Sequence, residues 1–143
     1  MKDYLLFGIA NKLDFFDVLG KEEKKVVRGI VERFGITHLY DKKLGELSGG
    51  ERQIVSICFA IVKDSKVALL DKPCYAVDIV NQNKVLTILN SITKDNEKTI
   101  LFSTHNPNHA LYMKAKVFLI GFGKIIDSGP AEVETNLWGR DLL

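Results

Sequence analysis

The sequence predicts an α/β protein: a helical N-terminal part, residues 1–63, precedes a region, 64–143, where strands and helices alternate. Two short apolar runs carry this reading. Lys66-Val67-Ala68-Leu69-Leu70-Asp71 and Thr99-Ile100-Leu101-Phe102-Ser103 have strand length, and each closes on a polar residue. Between them, from Ile79 to Thr93, Val85, Ile88, Leu89 and Ile92 recur at helical spacing along one stripe. Continuous apolar runs of this kind belong to strands of a parallel sheet covered on both faces. Both strands are therefore expected to be fully buried.

The remaining elements follow in order. Lys2 to Ile9 reads as a short helix, and Asn11 to Gly20 as a loop carrying Phe15 and Phe16. Lys21 to Phe34 is a second helix: Val27, Ile30, Val31 and Phe34 share a face, and Gly35 suits the position just past its end. A third helix runs from Gly49 to about Val62, with Ser48 as its N-cap. Asn108 to Lys114 is helical. Val117 to Ile120 and Lys124 to Asp127 flank Gly121-Phe122-Gly123 and read as a hairpin.

Composition narrows the class. At 143 residues the chain can bury a real core, and 46% hydrophobic with 27% charged residues is a folded, soluble composition. A net charge of +2, with the bases dispersed among acids, gives no nucleic-acid footprint. No apolar stretch reaches the roughly 18 residues of a membrane span, and the start Met1-Lys2-Asp3-Tyr4 has no signal-peptide layout. Cys58 and Cys74 have neither metal nor redox spacing, so reduced thiols inside the cell are expected.

The most informative segment is Leu47-Ser48-Gly49-Gly50-Glu51-Arg52-Gln53. Ser48 can cap the helix that follows, two glycines let backbone approach a ligand closely, and a helix N-terminus favours an anion. An ordinary capped helix would need only Ser48 of this string. The whole string, LSGGERQ, resembles the signature motif of ABC-type ATPases, the nucleotide-driven motors of transporters. The resemblance implies that Ser48, Gly49, Gly50, Glu51 and Gln53 contribute to binding ATP, at the γ-phosphate of a nucleotide held by the opposite subunit.

Further segments extend the likeness. The strand ending at Asp71, 18 residues after Gln53, resembles a Walker B motif, and Asp71 would hold Mg²⁺ through water beside phosphates. Ala76-Val77-Asp78 resembles the D-loop of the dimer interface, and Asp78 is also a natural cap for the next helix. Ser103-Thr104-His105 resembles the switch-histidine loop, in which His105 would hydrogen-bond the γ-phosphate and orient water. His105 to Leu111, Asn81-Gln82 and Ser128-Gly129-Pro130 look like the branch that serves importers of iron chelates, haem and cobalamin. His38 and His109 have no such support and read as ordinary polar residues.

Two departures qualify the likeness. Lys72 follows Asp71 where the family places its catalytic glutamate, and an ammonium accepts no proton. Cys74 also stands for the usual Thr, and Phe59 for a common Arg. Nothing in the 143 residues reads as a Walker A loop, G-x-x-x-x-G-K-[ST]. The resemblance thus implies a partial P-loop NTPase (RecA-like) core, 64–143, after an N-terminal helical signature subdomain, 1–63, with the Walker A half missing. The strands beside the missing one would lack main-chain partners and invite association.

The implied function is the C-terminal portion of an ATP-binding subunit that couples ATP binding and hydrolysis to import of a metal chelate or related solute. Hydrolysis by this chain alone is not expected. The implied partners are an ABC permease, which Phe15 and Phe16 could contact, and a second ATPase subunit or Walker A-bearing chain. No nucleic acid is implied. The implied state is an oligomer in the cytoplasm, peripheral to the inner face of the membrane. Two other roles stay open: a non-catalytic module that lends its signature motif or docks on a permease, and a decayed, inactive fragment.

Overall fold

The structure is a computed structural model that describes residues 1–9, 21–63, 65–94 and 98–134. The expected loop with Phe15 and Phe16 lies outside the described residues. The chain forms two compact units, Met1–Ser103 and Thr104–Leu143.

The first unit begins with three helices, α1 (Lys2–Ile9), α2 (Lys21–Arg33) and α3 (Gly49–Val62), as the apolar spacing predicts. Helix α2 ends in a Schellman motif. The Ile36 N–H donates to the Val31 carbonyl at 3.0 Å, and the Gly35 N–H to the Glu32 carbonyl at 2.9 Å. Gly35 adopts φ +60°, the left-handed conformation that the motif demands and glycine supplies without penalty. Val27, Val31, Phe34, Leu39, Val55, Ile57 and Cys58 are buried together with Leu5 of α1.

Helix α1 packs on α3 through unusually close contact. The Tyr4 ring stacks on Phe59, centroids 4.5 Å apart, and a Cβ on Gly8 would lie 3.1 Å from both Phe59 and Val62. Phe59, a departure from the family pattern, is thus matched by a stacking partner and by the small residue opposite it.

After α3 come β1 (Val67–Leu70), α4 (Ile79–Lys94) and β2 (Thr99–Phe102). The two strands pair in parallel, Val67 opposite Thr99 and Leu70 opposite Phe102. The α4 stripe of Val85, Ile88, Leu89 and Ile92 is buried as its spacing predicts. The strands correct one expectation: they are not buried on both faces. Ala68 and Leu70 are buried, but Leu69 is 70% and Leu101 55% exposed, and Val67 is exposed beside them. The pair is only two strands wide, and helices α3 and α4 pack against it. Alternate side chains of a strand point to opposite faces, so cover on one face leaves the other in water.

The second unit holds α5 (Pro107–Met113), β3 (Lys116–Gly121), β4 (Lys124–Pro130) and a single turn, α6 (Ala131–Glu134). Strands β3 and β4 form the expected antiparallel hairpin, with an irregular register between Leu119 and Ile120. Phe122 and Gly123 at its tip both take positive φ, as tight reversals require. Among the described residues, β1–β2 and β3–β4 are separate two-stranded sheets. Among the described residues, the buried apolar ones of this unit are Ala110, Val117 and Ala131, all small or medium in size.

Candidate functional site

The N-terminus of α3 is built by its own first turn. Ser48 Oγ accepts the Glu51 N–H at 3.2 Å, and the Ser48 N–H donates to Glu51 Oε2 at 2.7 Å. This reciprocal capping box satisfies two end groups of the helix. The S-x-x-E pattern of Ser48 and Glu51 is legible in the sequence, and the structure adds Glu51 to the expected Ser48 cap. Glu51 Oε1 also faces Lys42 Nζ at 3.8 Å and His38 Nε2 at 4.0 Å. The hydrogen bonds from Ser48 hold the Glu51 carboxyl below its usual range, and Lys42 and His38 act in the same direction.

The two glycines of the motif have different surroundings. A Cβ on Gly50 would come within 3.0 Å of the Ala76 carbonyl oxygen, so glycine there lets α3 abut the loop between β1 and α4. A Cβ on Gly49 would meet nothing within 4 Å. The fold has no need of glycine at 49. What remains is an exposed backbone, Ser48-Gly49, at the end of a 14-residue helix whose first N–H groups have no intrahelical acceptor. Gln53 is half-buried one turn along α3.

The end of β1 is tied to the end of β2 by Ser103. Its hydroxyl donates to Asp71 Oδ1 and accepts the Lys72 N–H at 2.9 Å. Asp71 keeps Oδ2 beyond this bond and is exposed. Among the described residues no group of three or more His, Cys, Asp and Glu could hold a metal. One carboxylate with an open oxygen fits Mg²⁺ that arrives with phosphates and waters, and does not fit a standing protein-only site. Lys72 is exposed and adopts φ +43°, a left-handed conformation unusual outside glycine. Ser103 was not singled out in the sequence, since only the pairing of β1 with β2 brings it to Asp71.

Asp78 caps α4. Its Oδ1 accepts the Asn81 N–H at 3.0 Å and its Oδ2 the Asn81 side-chain amide at 2.6 Å, which together hold its carboxyl below the usual range. Cys58 and Cys74 are buried free thiols, and burial pushes both upward, away from the reactive thiolate.

His105 lies in the second unit, exposed, between Thr104 and Asn106. His109, read as an ordinary polar residue, is half-buried, and both of its ring nitrogens are engaged. Nδ1 lies 3.1 Å from Thr104 Oγ1, and Nε2 lies 3.2 Å from the Asn106 side-chain amide. Burial holds its imidazole below the usual histidine range, and neighbouring His105 adds to the effect.

A family profile described as ABC transporter matches residues 6–75, which take in α1 to α3, LSGGERQ and Asp71. The chain belongs to the ABC transporter family of ATP-binding proteins. It is 32% identical over 132 residues to the chelated iron transport system membrane protein YfeB of Yersinia pestis, covering 92% of this chain and 44% of that protein. It is 31% identical over 118 residues to the molybdate import ATP-binding protein MolC of Haemophilus influenzae, covering 82% and 47%. A solved structure described as a metal-chelate type ABC transporter in an inward-facing conformation superposes with a TM-score of 0.79 at 29% identity, covering 91% of this chain and 51% of that one. The chain therefore has the ABC ATPase cassette fold and spans about half the length of the curated relatives it matches. Among the described residues, no helix is long and apolar enough to cross a membrane.

Proposed function

We propose that this chain is the C-terminal portion of an ABC transporter ATP-binding subunit that couples ATP binding and hydrolysis to import of a metal chelate or related solute. Residues 1–63 are then the helical signature subdomain, and 64–143 the C-terminal part of the ATPase core. The observation that carries this reading is the exposed N-terminus of α3, where Ser48 is fixed by its capping box and Gly49 opens onto space the fold does not use. Such an end receives an anion: backbone N–H groups and the Ser48 hydroxyl would meet the γ-phosphate of ATP on a second ATPase subunit. Glu51 shapes the turn and Gln53 extends the contact along the helix. The chelate reading follows the likeness to YfeB and to the metal-chelate type structure.

Asp71 would hold Mg²⁺ through water, steadied by Ser103, and Asp78 would face the dimer interface while capping α4. His105 would donate to the γ-phosphate. The phosphates need a Walker A loop, supplied by a further polypeptide segment or a second chain, and a permease would anchor the assembly at the inner face of the membrane. Lys72 supplies no base, so binding rather than hydrolysis is the expected contribution of the site. That residue favours a second reading, in which the chain lends Ser48, Gly49 and Gly50 to a competent partner without catalysis of its own.

The test is calorimetry and phosphate release with Mg-ATP, on the 143-residue chain and on the same chain joined to a Walker A-bearing segment. Feeble binding by the first and measurable binding by the second is the expected result. The change Lys72→Glu should leave the chain alone inactive, yet raise turnover of the joined protein by roughly 10²–10⁴, the range of a positioned general base. Tight one-to-one Mg-ATP binding or turnover by the unmodified chain alone would overturn the reading.

A further inference from the structure

The bonds around His109 form a closed set. Asn106 caps α5, its Oδ1 accepting the Asn108 N–H at 3.0 Å. That bond fixes the orientation of the Asn106 amide, so its Nδ2 is the atom turned to His109 Nε2 at 3.2 Å. Nδ2 is a donor, and Nε2 must therefore accept. A neutral imidazole that accepts at Nε2 carries its proton on Nδ1, and here that proton meets Thr104 Oγ1 at 3.1 Å. Thr104 Oγ1 also accepts the Asn106 N–H at 3.1 Å. One imidazole thus ties down the residue before His105 and the residue after it.

We propose that His109 is a positioning residue for His105, locking the Thr104-His105-Asn106 turn through a neutral imidazole with its proton on Nδ1. The proposal rests on the reading of His105 as the group that meets a γ-phosphate, and it adds what holds that group in place. His109 itself touches no reacting atom. A doubly protonated ring would set an Nε2–H against the Asn106 donor. Relieving that clash by turning the amide over would take Oδ1 away from the Asn108 N–H and uncap α5. Proton, cap and turn therefore stand or fall together.

Long-range ¹H–¹⁵N correlation spectra of the full 143-residue chain, without nucleotide, test this. The expected spectrum at neutral pH shows His109 neutral and protonated on Nδ1, the less common tautomer, with slow exchange at the His105 and Asn106 amides. Asn106→Asp retains an oxygen for the α5 cap but replaces the donor by an acceptor. His109 should then become an imidazolium at neutral pH while α5 persists, an outcome that general destabilisation does not produce. His109→Phe should speed exchange at His105 and Asn106 at least tenfold while amides of α3 and α4 are unchanged. Should His109→Phe fail to fold, the tautomer and the Asn106→Asp spectrum decide the matter. A proton on Nε2 in the parent chain, or a neutral His109 in Asn106→Asp, would overturn the proposal. Because no nucleotide is present, failure of the ATPase reading would leave this result intact, and the reverse also holds.

Discussion

The two glycines of the signature turn separate a requirement of the fold from a requirement of binding. A Cβ on Gly50 would crowd the Ala76 carbonyl oxygen at 3.0 Å, whereas Gly49 faces open space. Gly50→Ala is expected to destabilise the chain by about 1–3 kcal/mol, the usual cost of overpacking. Gly49→Ala should be neutral or stabilising by up to about 1 kcal/mol, since alanine is the better helix former. The same Gly49→Ala change should still weaken engagement of ATP by the assembled protein. Urea unfolding of both variants, beside nucleotide binding by the joined protein, measures the contrast; equal destabilisation by the two would remove it. The pH response is also set at single residues. The Glu51 and Asp78 carboxyls are held below their ordinary values of 4.5 and 3.8, so the stability they contribute is present above those values and is lost as pH falls through the lower folded ones. His109 is held below 6.5, so the unfolded chain binds its proton first and stability declines as pH falls below that value. Melting temperature should be flat between about pH 7 and 8, fall slightly below pH 6.5 and fall further under pH 4.5. A rise in stability between pH 6.5 and 5 would contradict the neutral His109.

At the scale of elements, the helices carry their own punctuation, and it was readable. The Gly35 stop, the Ser48 cap and the Asp78 cap each sit where a residue type has one physical role, so the observed bounds of α1, α2, α3 and α4 fall within a residue or so of those expected. The strands were legible in position but not in burial. An apolar run such as Val67 to Leu70 records that a strand can be covered on both faces, not that the cover is present, and here Leu69 and Leu101 stand side by side in water. Ser103 and His109 were illegible for another reason. Their partners, Asp71 across the strand pair and Thr104 and Asn106 across a turn, are adjacent only once the backbone has folded. The α1–α3 contact was equally hidden, since nothing in a single sequence links Gly8 to Phe59. Gly8→Ala is expected to cost about 1–3 kcal/mol, because its methyl would press on the Phe59 ring, which is stacked against Tyr4. Chemical unfolding tests this, and Phe59→Leu in the Gly8→Ala background should recover part of the loss. No recovery would mean that the strain lies elsewhere.

For the molecule as a whole, the two units are unequal in what they bury. The first has a core drawn from α1 to α4, including Leu5, Phe34, Ile57, Leu89 and Ile92. In the second, the described core is Ala110, Val117 and Ala131, while Phe118, Ile120, Phe122, Ile125 and Ile126 of the hairpin are exposed. Ordering a residue costs about 1–2 kcal/mol in backbone entropy, and burying a side chain of valine size returns only about 1.5–3. Little of the apolar surface of the described hairpin is buried to offset that cost. Under the proposed function the Walker A-bearing segment would cover this exposed hairpin. Hydrogen exchange should show slow amides in α3, α4 and β1 and fast amides in β3 and β4 of the isolated chain. Adding the Walker A-bearing polypeptide should slow the hairpin amides by an order of magnitude or more. Ile120→Asp should shift the stability of the isolated chain by no more than about 0.5 kcal/mol, the range of exposed positions. It should nevertheless abolish the protection gained on addition. A hairpin already as protected as α3, or protection that survives Ile120→Asp, would show that the apolar surface of β3 and β4 has no such role.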